Sequence, residues 1–301
     1  MKLKLFLFFP LTILSYTDQS IISENLESEE QSYNIAKNFI EAVLESNHQE
    51  NPDKTEDPRI TEFQLALRLF GEFSKTGNFV SMNRIATWLE KNIGKFKKDF
   101  LVEHFDKKVY YPTLNEIGLS CAVGAIVYEQ KNSKNIDSEE IEYNIKQLDR
   151  VLAKYLKLLI NNGADINHFV NYAKPFVSAD SQWNKINGSL LHIAASTNRD
   201  DLITLLISLK ADPNLRDTNK RIALHIAIEN CKDDQAPYVI EAIIENGCDI
   251  NAEYAGVKPL KLAVYKRLMH VAHLLIQKGA NQKTEIKNSS NSGSIFSGFW
   301  G

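Results

Sequence analysis

Apolar positions in the C-terminal half of the chain come in short runs with helical spacing. Between Asp200 and Lys210 only Thr204 and Ser208 interrupt the apolar residues, which are Leu202, Ile203, Leu205, Leu206, Ile207 and Leu209. Apolar residues that recur every three to four positions are typical of a helix that buries one face. The pattern therefore predicts short helices, each packed through an apolar stripe.

A short motif precedes these runs and is repeated along the chain. The clearest copies are Leu191-His192-Ile193-Ala194 and Leu224-His225-Ile226-Ala227, and their histidines lie 33 residues apart (225 − 192). A third copy, KPLKLA, covers 258–263, and a degenerate copy, LSCA, covers 119–122. Each copy leads to an apolar run and then a turn: GADIN at 163–167, KADPN at 210–214, GCDIN at 247–251 and GANQK at 279–283.

In these motifs the chain resembles the ankyrin-repeat family, in which a β-turn and two short helices repeat every 33 residues or so. The resemblance implies an all-α solenoid of about four repeats, the first of them degenerate. Neither helix of a repeat buries its apolar face alone, so stability depends on contacts between neighbouring repeats. The resemblance also implies a protein that binds a protein partner, without a cofactor and without enzymatic activity.

The resemblance assigns structural roles to particular residues. It implies that His192 and His225 hydrogen-bond the turns of adjacent repeats. Gly163, Gly247 and Gly279 lie where the second helix of a repeat ends, a position at which the backbone adopts a left-handed conformation that glycine tolerates without steric cost. Lys210 stands at the equivalent position, so we expect that turn to be strained or differently shaped.

Irregular spacing between the motifs predicts insertions. Ala122 and Gly163 are 41 residues apart, against 16 for Ala194 to Lys210, so this repeat carries 25 extra residues, including the polar stretch 129–140. Asn167 to Asn214 is 47 residues rather than 33, which places 14 extra residues in a connection at 168–186. The repeat of His225 has four extra residues, expected near 233–236. Insertions in a solenoid often emerge on the binding face.

The first hundred residues have a different organisation. Residues 1–17 combine two lysines with an apolar core and predict a signal peptide, hence a secreted or periplasmic protein. The alternatives for this segment are an uncleaved anchor or a buried N-terminal helix, and the alternative for the protein is a cytoplasmic scaffold. Residues 18–58 predict a polar linker with one amphipathic helix at 32–45. Residues 59–106 predict two helices separated by 75–78, either a helical cap or a decayed repeat. The repeat domain is expected at 107–283.

A polar tail at 284–301 is predicted to be disordered. It closes with Ile295, Phe296, Phe299 and Trp300, for which two alternatives are open: folding back onto the last repeat, or a short recognition peptide.

Candidate binding residues lie at the turn tips and in the 168–186 insertion. The resemblance places Arg216, Thr218 and Lys220 on one tip and Glu253 and Tyr254 on the next. Tyr172 and Trp183 belong to the insertion, and exposed tyrosine, tryptophan and arginine often anchor interfaces. Packing of the insertion onto the solenoid by Phe169, Phe176 and Trp183 is the competing explanation, and Tyr172 and Tyr254 are the aromatic residues that we expect to be exposed.

Other chemistry has little support in the sequence. The net charge is −3, without a basic run interleaved with aromatics, which disfavours a nucleic-acid partner. His270 and His273 have metal-compatible spacing but are predicted to point outward, and Cys121, Cys231 and Cys248 are predicted to be buried or half-buried thiols, so we expect no metal site. No catalytic motif is present in the sequence. The rival is an enzyme or toxin whose active part is residues 20–110. After signal removal we expect a monomer without a membrane span.

Overall fold

The computed structural model describes residues 28–50, 58–76, 78–102, 118–127, 138–170, 188–197, 199–231 and 237–281. Within these ranges the secondary structure is helical, apart from one isolated β-bridge between Tyr254 and Val257. The helices are α1 (Glu29–Glu50), α2 (Pro58–Thr76), α3 (Phe79–Val102), α4 (Ser120–Val127), α5 (Ser138–Asn161), α6 (Leu190–Ala194), α7 (Asp200–Ser208), α8 (Ala223–Asn230), α9 (Tyr238–Glu245), α10 (Pro259–Tyr265) and α11 (Met269–Gln277). None of these described helices is both long and apolar enough to cross a bilayer.

The helices form five stacked pairs. We call them layer 1 (α2–α3), layer 2 (α4–α5), layer 3 (α6–α7), layer 4 (α8–α9) and layer 5 (α10–α11). First helices pack on first helices along the whole stack, from α2 through α4, α6 and α8 to α10. One hydrophobic core runs through all five layers. The fold is therefore the all-α solenoid that the motif spacing predicts.

Layer 1 stacks on layer 2 as the later layers stack on one another, because α2 packs on α4 and α3 packs on α5. Its two helices are separated at 77–78, where the sequence predicts a break. Asn78 begins α3 by accepting a hydrogen bond from the Ser81 amide at 3.0 Å, a typical N-cap. Helices α2 and α3, which lie in the segment predicted as a cap or a decayed repeat, thus form a further layer with repeat-like packing, although the chain lacks the motif there.

Helix α1 covers the outer side of layer 1, where it packs mainly on α3. It starts with a reciprocal capping box, in which the Ser28 amide donates to Gln31 Oε1 and the Gln31 amide donates to Ser28 Oγ. Ala36 and Ile40 are buried, and the Phe39 and Phe73 ring centroids lie 6.0 Å apart. The amphipathic helix of the linker is therefore docked, and it caps the end of the stack.

The long second helix of layer 2 absorbs part of the 25-residue insertion. Helix α5 has 24 residues against nine in α7, and it includes Ser138–Glu140 from the polar stretch. The stack holds this helix through the Tyr155 ring, which stacks on Phe70 with centroids 3.7 Å apart. The Tyr155 hydroxyl donates to the Gly118 carbonyl at 2.9 Å.

A buried arginine joins layers 2 and 3. The guanidinium of Arg199, at the start of α7, forms an ion pair with Asp149 of α5, and its Nη2 also lies 3.6 Å from Asp201 Oδ2. The Arg199 side chain is 3% exposed. Burial raises the pKa of Asp149 to about 7, with a hydrogen bond to Asp201 adding to the effect and Arg199 opposing it.

Candidate protein-binding edge

Four turns with one backbone shape follow the second helices of layers 2 to 5. Gly163, Gly247 and Gly279 have φ of 104°, 86° and 98°. Lys210 takes the same left-handed region at φ 71°. Its neighbour Ala211 donates to Leu206 at 3.0 Å, the bond that Ala280 makes to Leu275 at 2.9 Å in layer 5. The Lys210 turn is therefore shaped like the others and is strained, since a side chain disfavours a left-handed backbone by about 1–2 kcal/mol.

Asparagines of these turns form a ladder along one edge of the solenoid. Asn167 Oδ1 accepts the amide of Asp212 in the next turn at 2.8 Å. Asn214 Oδ1 accepts the amide of Asp249 at 2.6 Å, and Asn251 Oδ1 accepts the amide of Asn281 at 2.7 Å. Each asparagine thus bonds the backbone of the following layer, and the ladder fixes the spacing of the turns.

In the first three of these turns an aspartate orients the asparagine of the same turn. The carboxylates of Asp165, Asp212 and Asp249 accept the amides of Asn167, Asn214 and Asn251 at 2.9, 2.8 and 2.9 Å. Such Asx turns replace a backbone turn by a side-chain bond two residues on. The recurrent D-x-N of the turn sequences therefore has a structural function, which the sequence analysis did not identify.

We call the turn before the first helix of a layer its tip, which is 215–221 in layer 4 and 252–258 in layer 5. His192 connects layer 3 to the tip of layer 4. The ring is 1% exposed, and Nε2 lies 3.0 Å from the Leu215 carbonyl. Nδ1 accepts the Ser189 amide at 3.2 Å, so the neutral ring carries its proton on Nε2 and donates it to Leu215. Burial lowers the pKa of His192 below its ordinary value. Gly188 lies under the ring, because a Cβ there would come within 2.7 Å of it.

His225 occupies the equivalent place in layer 4 with a different environment. The residue is 0% exposed, and neither ring nitrogen makes a hydrogen bond of good geometry with a described residue. The backbones of Val257 and Ala252 lie near enough to oppose the lowering of the pKa of His225. Ile222 stands where layer 3 has Ser189, and it offers no hydroxyl. The Tyr254 ring packs edge-on against His225 with centroids 5.8 Å apart. Burial lowers the pKa of His225 to about 4.

The layer 4 tip is held by two arginines. Arg216 Nη1 donates to the carbonyl of Lys220 and to the carbonyl of Glu253, both at 2.9 Å. The first bond closes its own tip, and the second joins it to the layer 5 tip. The buried Asp217 pairs with Arg221 at 2.8 Å, and Arg221 also reaches Glu229 at 2.6 Å.

The structure brings most of the predicted binding residues onto two adjacent tips. Arg216, Thr218, Lys220 and Glu253 are exposed there. Tyr254, expected to be exposed, is half-buried because its ring covers His225 and its backbone pairs with Val257. Tyr172 and Trp183 lie outside the described residues, as does most of the 168–186 insertion. Phe169, at its start, is 38% exposed and contacts the His192 ring edge-on at 6.4 Å.

Sequence reasoning missed the backbone function of Arg216 and the Asp217–Arg221–Glu229 cluster. The i, i+4 spacing of Asp217 and Arg221 was a signal for their pairing, although that rule belongs to helices and these residues lie in a turn. Nothing local to Arg216 indicates that its acceptor is a carbonyl 37 residues away.

Possible metal or redox chemistry is limited to a few side chains in the described ranges. His270 and His273 are both exposed on α11, and no group of three potential metal ligands occurs among these residues. The three cysteines are free thiols, with Cys121 buried and the other two half-buried. Burial raises the pKa of Cys248 to about 12, so this thiol stays protonated at neutral pH.

Comparison with known proteins identifies the repeats. Residues 191–286 match the family model for ankyrin repeats, with three copies. The NF-kappa-B inhibitor cactus of Drosophila yakuba is 29% identical over 106 residues, which cover 35% of this chain and 22% of that protein. The Drosophila melanogaster protein of the same name is also 29% identical over 106 residues, covering 21% of its length. The chain thus matches only about a fifth of these relatives. With the stacked layers and the shared turns, these matches show that residues 191–286 carry ankyrin repeats.

Proposed function

We propose that this protein is a non-catalytic interaction module that binds a protein partner through the layer 4 and layer 5 tips and the 168–186 insertion. The observation that carries the proposal is the fixed relation between the two tips. The asparagine ladder and Arg216 tie one tip to the next, so Thr218, Lys220 and Glu253 are exposed on a rigid edge. A preorganised surface binds with a smaller loss of conformational entropy than a loose one.

The relatives support a protein as the ligand. Cactus carries the printed name of an inhibitor of NF-kappa-B, and residues 191–286 of this chain match the family model for ankyrin repeats. Because the alignment spans about a fifth of cactus, the identity of the partner is not carried over.

Arg216 has a positioning role in this proposal rather than a contact role. Both of its described bonds go to backbone carbonyls of the two tips, so its removal would disturb the surface as well as any contact. Thr218, Lys220 and Glu253 are the better candidates for direct contact, because they are exposed.

The packing of residues 58–102 favours an interaction protein over the rival with an N-terminal active region. Helices α2 and α3 extend the continuous stack, and α1 covers its end. The buried side chains of this segment are mostly aliphatic and aromatic, as a structural layer requires.

The binding proposal is tested with a surface variant and a matched control. The full chain would be immobilised, captured proteins identified by mass spectrometry, and the affinity of the captured partner measured by calorimetry. We expect Thr218→Arg/Lys220→Asp/Glu253→Arg to weaken binding at least about tenfold, since charge reversal at an interface introduces repulsion. The control is Gln277→Arg, an exposed site on α11. Equal affinity of both variants, with unchanged circular dichroism, would place the interface elsewhere.

We further propose that the protein is exported, on the basis of residues 1–17. Intact-mass measurement of material from the culture medium or periplasm should show the loss of about seventeen N-terminal residues. Recovery only from the cytoplasm with residues 1–17 retained would favour the cytoplasmic scaffold.

A further inference from the structure

The first helix of the last layer lacks the cover that the earlier layers have. The comparison uses the two positions directly before and after the motif alanine, which is Ala194 in layer 3, Ala227 in layer 4 and Ala263 in layer 5. In layers 3 and 4 the side chains at these positions are each 1% exposed or less: Ile193, Ala195, Ile226 and Ile228. Leu262 and Val264, at these positions in layer 5, are half-buried. Each earlier layer is covered by the layer that follows it. Layer 5 has no described layer after it, so its apolar side chains lie at the end of the stack.

A third position shows the same trend more strongly. Tyr265 is 86% exposed, whereas Ser196, which precedes it by two layers, is 4% exposed. We call Leu262, Val264 and Tyr265 the open end. A solenoid needs a covering element at each terminus for solubility. Helix α1 fulfils that function at the layer 1 end, so the open end is the terminus without a described counterpart.

The described structure ends at Asn281, in the turn that follows α11 of layer 5. Ala280 is buried, and the Asn281 amide donates to Asn251 Oδ1, so the turn that would begin another layer is already made. The following polar stretch, 282–294, has thirteen residues (294 − 281). Fully extended it reaches about 40 Å, several times the ~10 Å length of the seven-residue helix α10. Residues after 294 can therefore reach any part of the open end.

We propose that residues 295–300 pack on the open end and cap the solenoid. This segment contains four large apolar side chains, Ile295, Phe296, Phe299 and Trp300, and no charged residue. Three of them, Phe296, Phe299 and Trp300, are aromatic and lie within five residues of one another in the sequence. The apolar surface of Leu262, Val264 and Tyr265 matches them in chemistry. A second copy of the chain is the competing occupant.

Hydrogen exchange of the full chain, followed by mass spectrometry, tests the cap. The variant is Phe296→Ser/Phe299→Ser/Trp300→Ser, and the control, Asn288→Ala/Ser290→Ala/Asn291→Ala, alters the polar stretch. We expect the amides of α10 and α11 to exchange about 3- to 10-fold faster in the variant only, while α6 and α7 stay unchanged, because local opening frees the end layer. Tyr265→Ser should reproduce part of this faster exchange. Because Tyr265 is exposed, we expect this variant to fold like the wild type.

Light scattering of the same samples separates the occupants. A monomeric wild type with faster exchange in the serine variant supports the cap. Equal amide exchange in the wild type and the serine variant would overturn the cap. A dimer whose α10 and α11 amides lose their protection on dilution would also overturn it and would assign the open end to a second copy. These results are independent of the partner-binding proposal, since the open end and the tips are altered by different variants.

Discussion

Layers 3 and 4 contain the same Leu-His-x-Ala motif, yet their histidines have different environments. His192 is satisfied at both ring nitrogens, by Ser189 and by the next tip at Leu215. His225 is equally buried, but its ring nitrogens make no hydrogen bond of good geometry with the described residues, and only the backbones of Val257 and Ala252 lie near. One part of the difference is the Ser189 hydroxyl, which lies 3.0 Å from His192 Nδ1, whereas layer 4 has Ile222 at that position. One motif can therefore specify the same fold in two layers while contributing different amounts to stability.

The largest expected effect is the loss of the histidine that bonds the next tip. His192→Ala removes two good hydrogen bonds and leaves a cavity beside Gly188, so we expect a loss of about 3 kcal/mol in unfolding free energy. His225→Ala should cost about 1 kcal/mol less, because the ring loses only weak contacts with the backbones of Val257 and Ala252. Urea denaturation of both variants measures their unfolding free energies. Equal losses in the two variants would contradict the proposed difference between the two histidines.

The unpaired histidine should also make stability depend on pH. The pKa of His225 is about 4 when folded and near 6.5 when unfolded, so the unfolded chain binds the proton more readily. Its contribution is complete above pH 6.5 and falls as pH drops toward 4, by roughly 3 kcal/mol in all. The measurement is the difference between wild type and His225→Gln at each pH, which cancels the opposite trend from Asp149. A flat difference between pH 4 and 7 would show that the ring is not desolvated.

A single substitution should make layer 3 resemble layer 4. Ser189→Ala removes the hydroxyl that lies 3.0 Å from His192 Nδ1 while the backbone amide contact can persist. We expect a loss of about 1 kcal/mol, the usual value of a buried side-chain hydrogen bond. Thermal unfolding detects it, with Ser208→Ala on the exposed face of α7 as the control. No shift relative to that control would mean that the hydroxyl does not support the histidine.

The smallest expected effect has the opposite sign. Lys210→Gly places glycine in the left-handed turn that Gly247 occupies one layer on, and should stabilise the fold by about 0.5–1 kcal/mol. Lys278→Gly, at an ordinary negative φ before Gly279, is the control and should destabilise. A destabilised Lys210→Gly variant would show that the lysine side chain makes a contact that offsets the strain.

The fold was predictable because its signals are local and periodic. Apolar spacing located α7, and the left-handed positions were correctly placed at Gly163, Gly247 and Gly279. The positions of the tips were predictable, because the turns recur with the motif. The side-chain contacts at the tips were less predictable: Tyr254 covers His225, and Arg216 donates to a carbonyl in the next layer. Such contacts depend on which side chain of a neighbouring layer lies opposite, and a single layer's sequence does not contain that information.

The repetition of helix pairs, the positions of their turns and the apolar faces follow from the amino-acid order alone, because backbone conformation and hydrophobic burial depend on a few residues at fixed spacing. The contacts between layers appear only once the layers stack. Stacking shows that α2 and α3 form a layer without the motif, that the turn asparagines form a ladder, and that His192 has good hydrogen bonds whereas His225 has only weak backbone contacts. The physical reason is that a hydrogen bond between layers requires two partners to meet in space, and residues 30 to 50 positions apart in sequence meet only after the stack has formed.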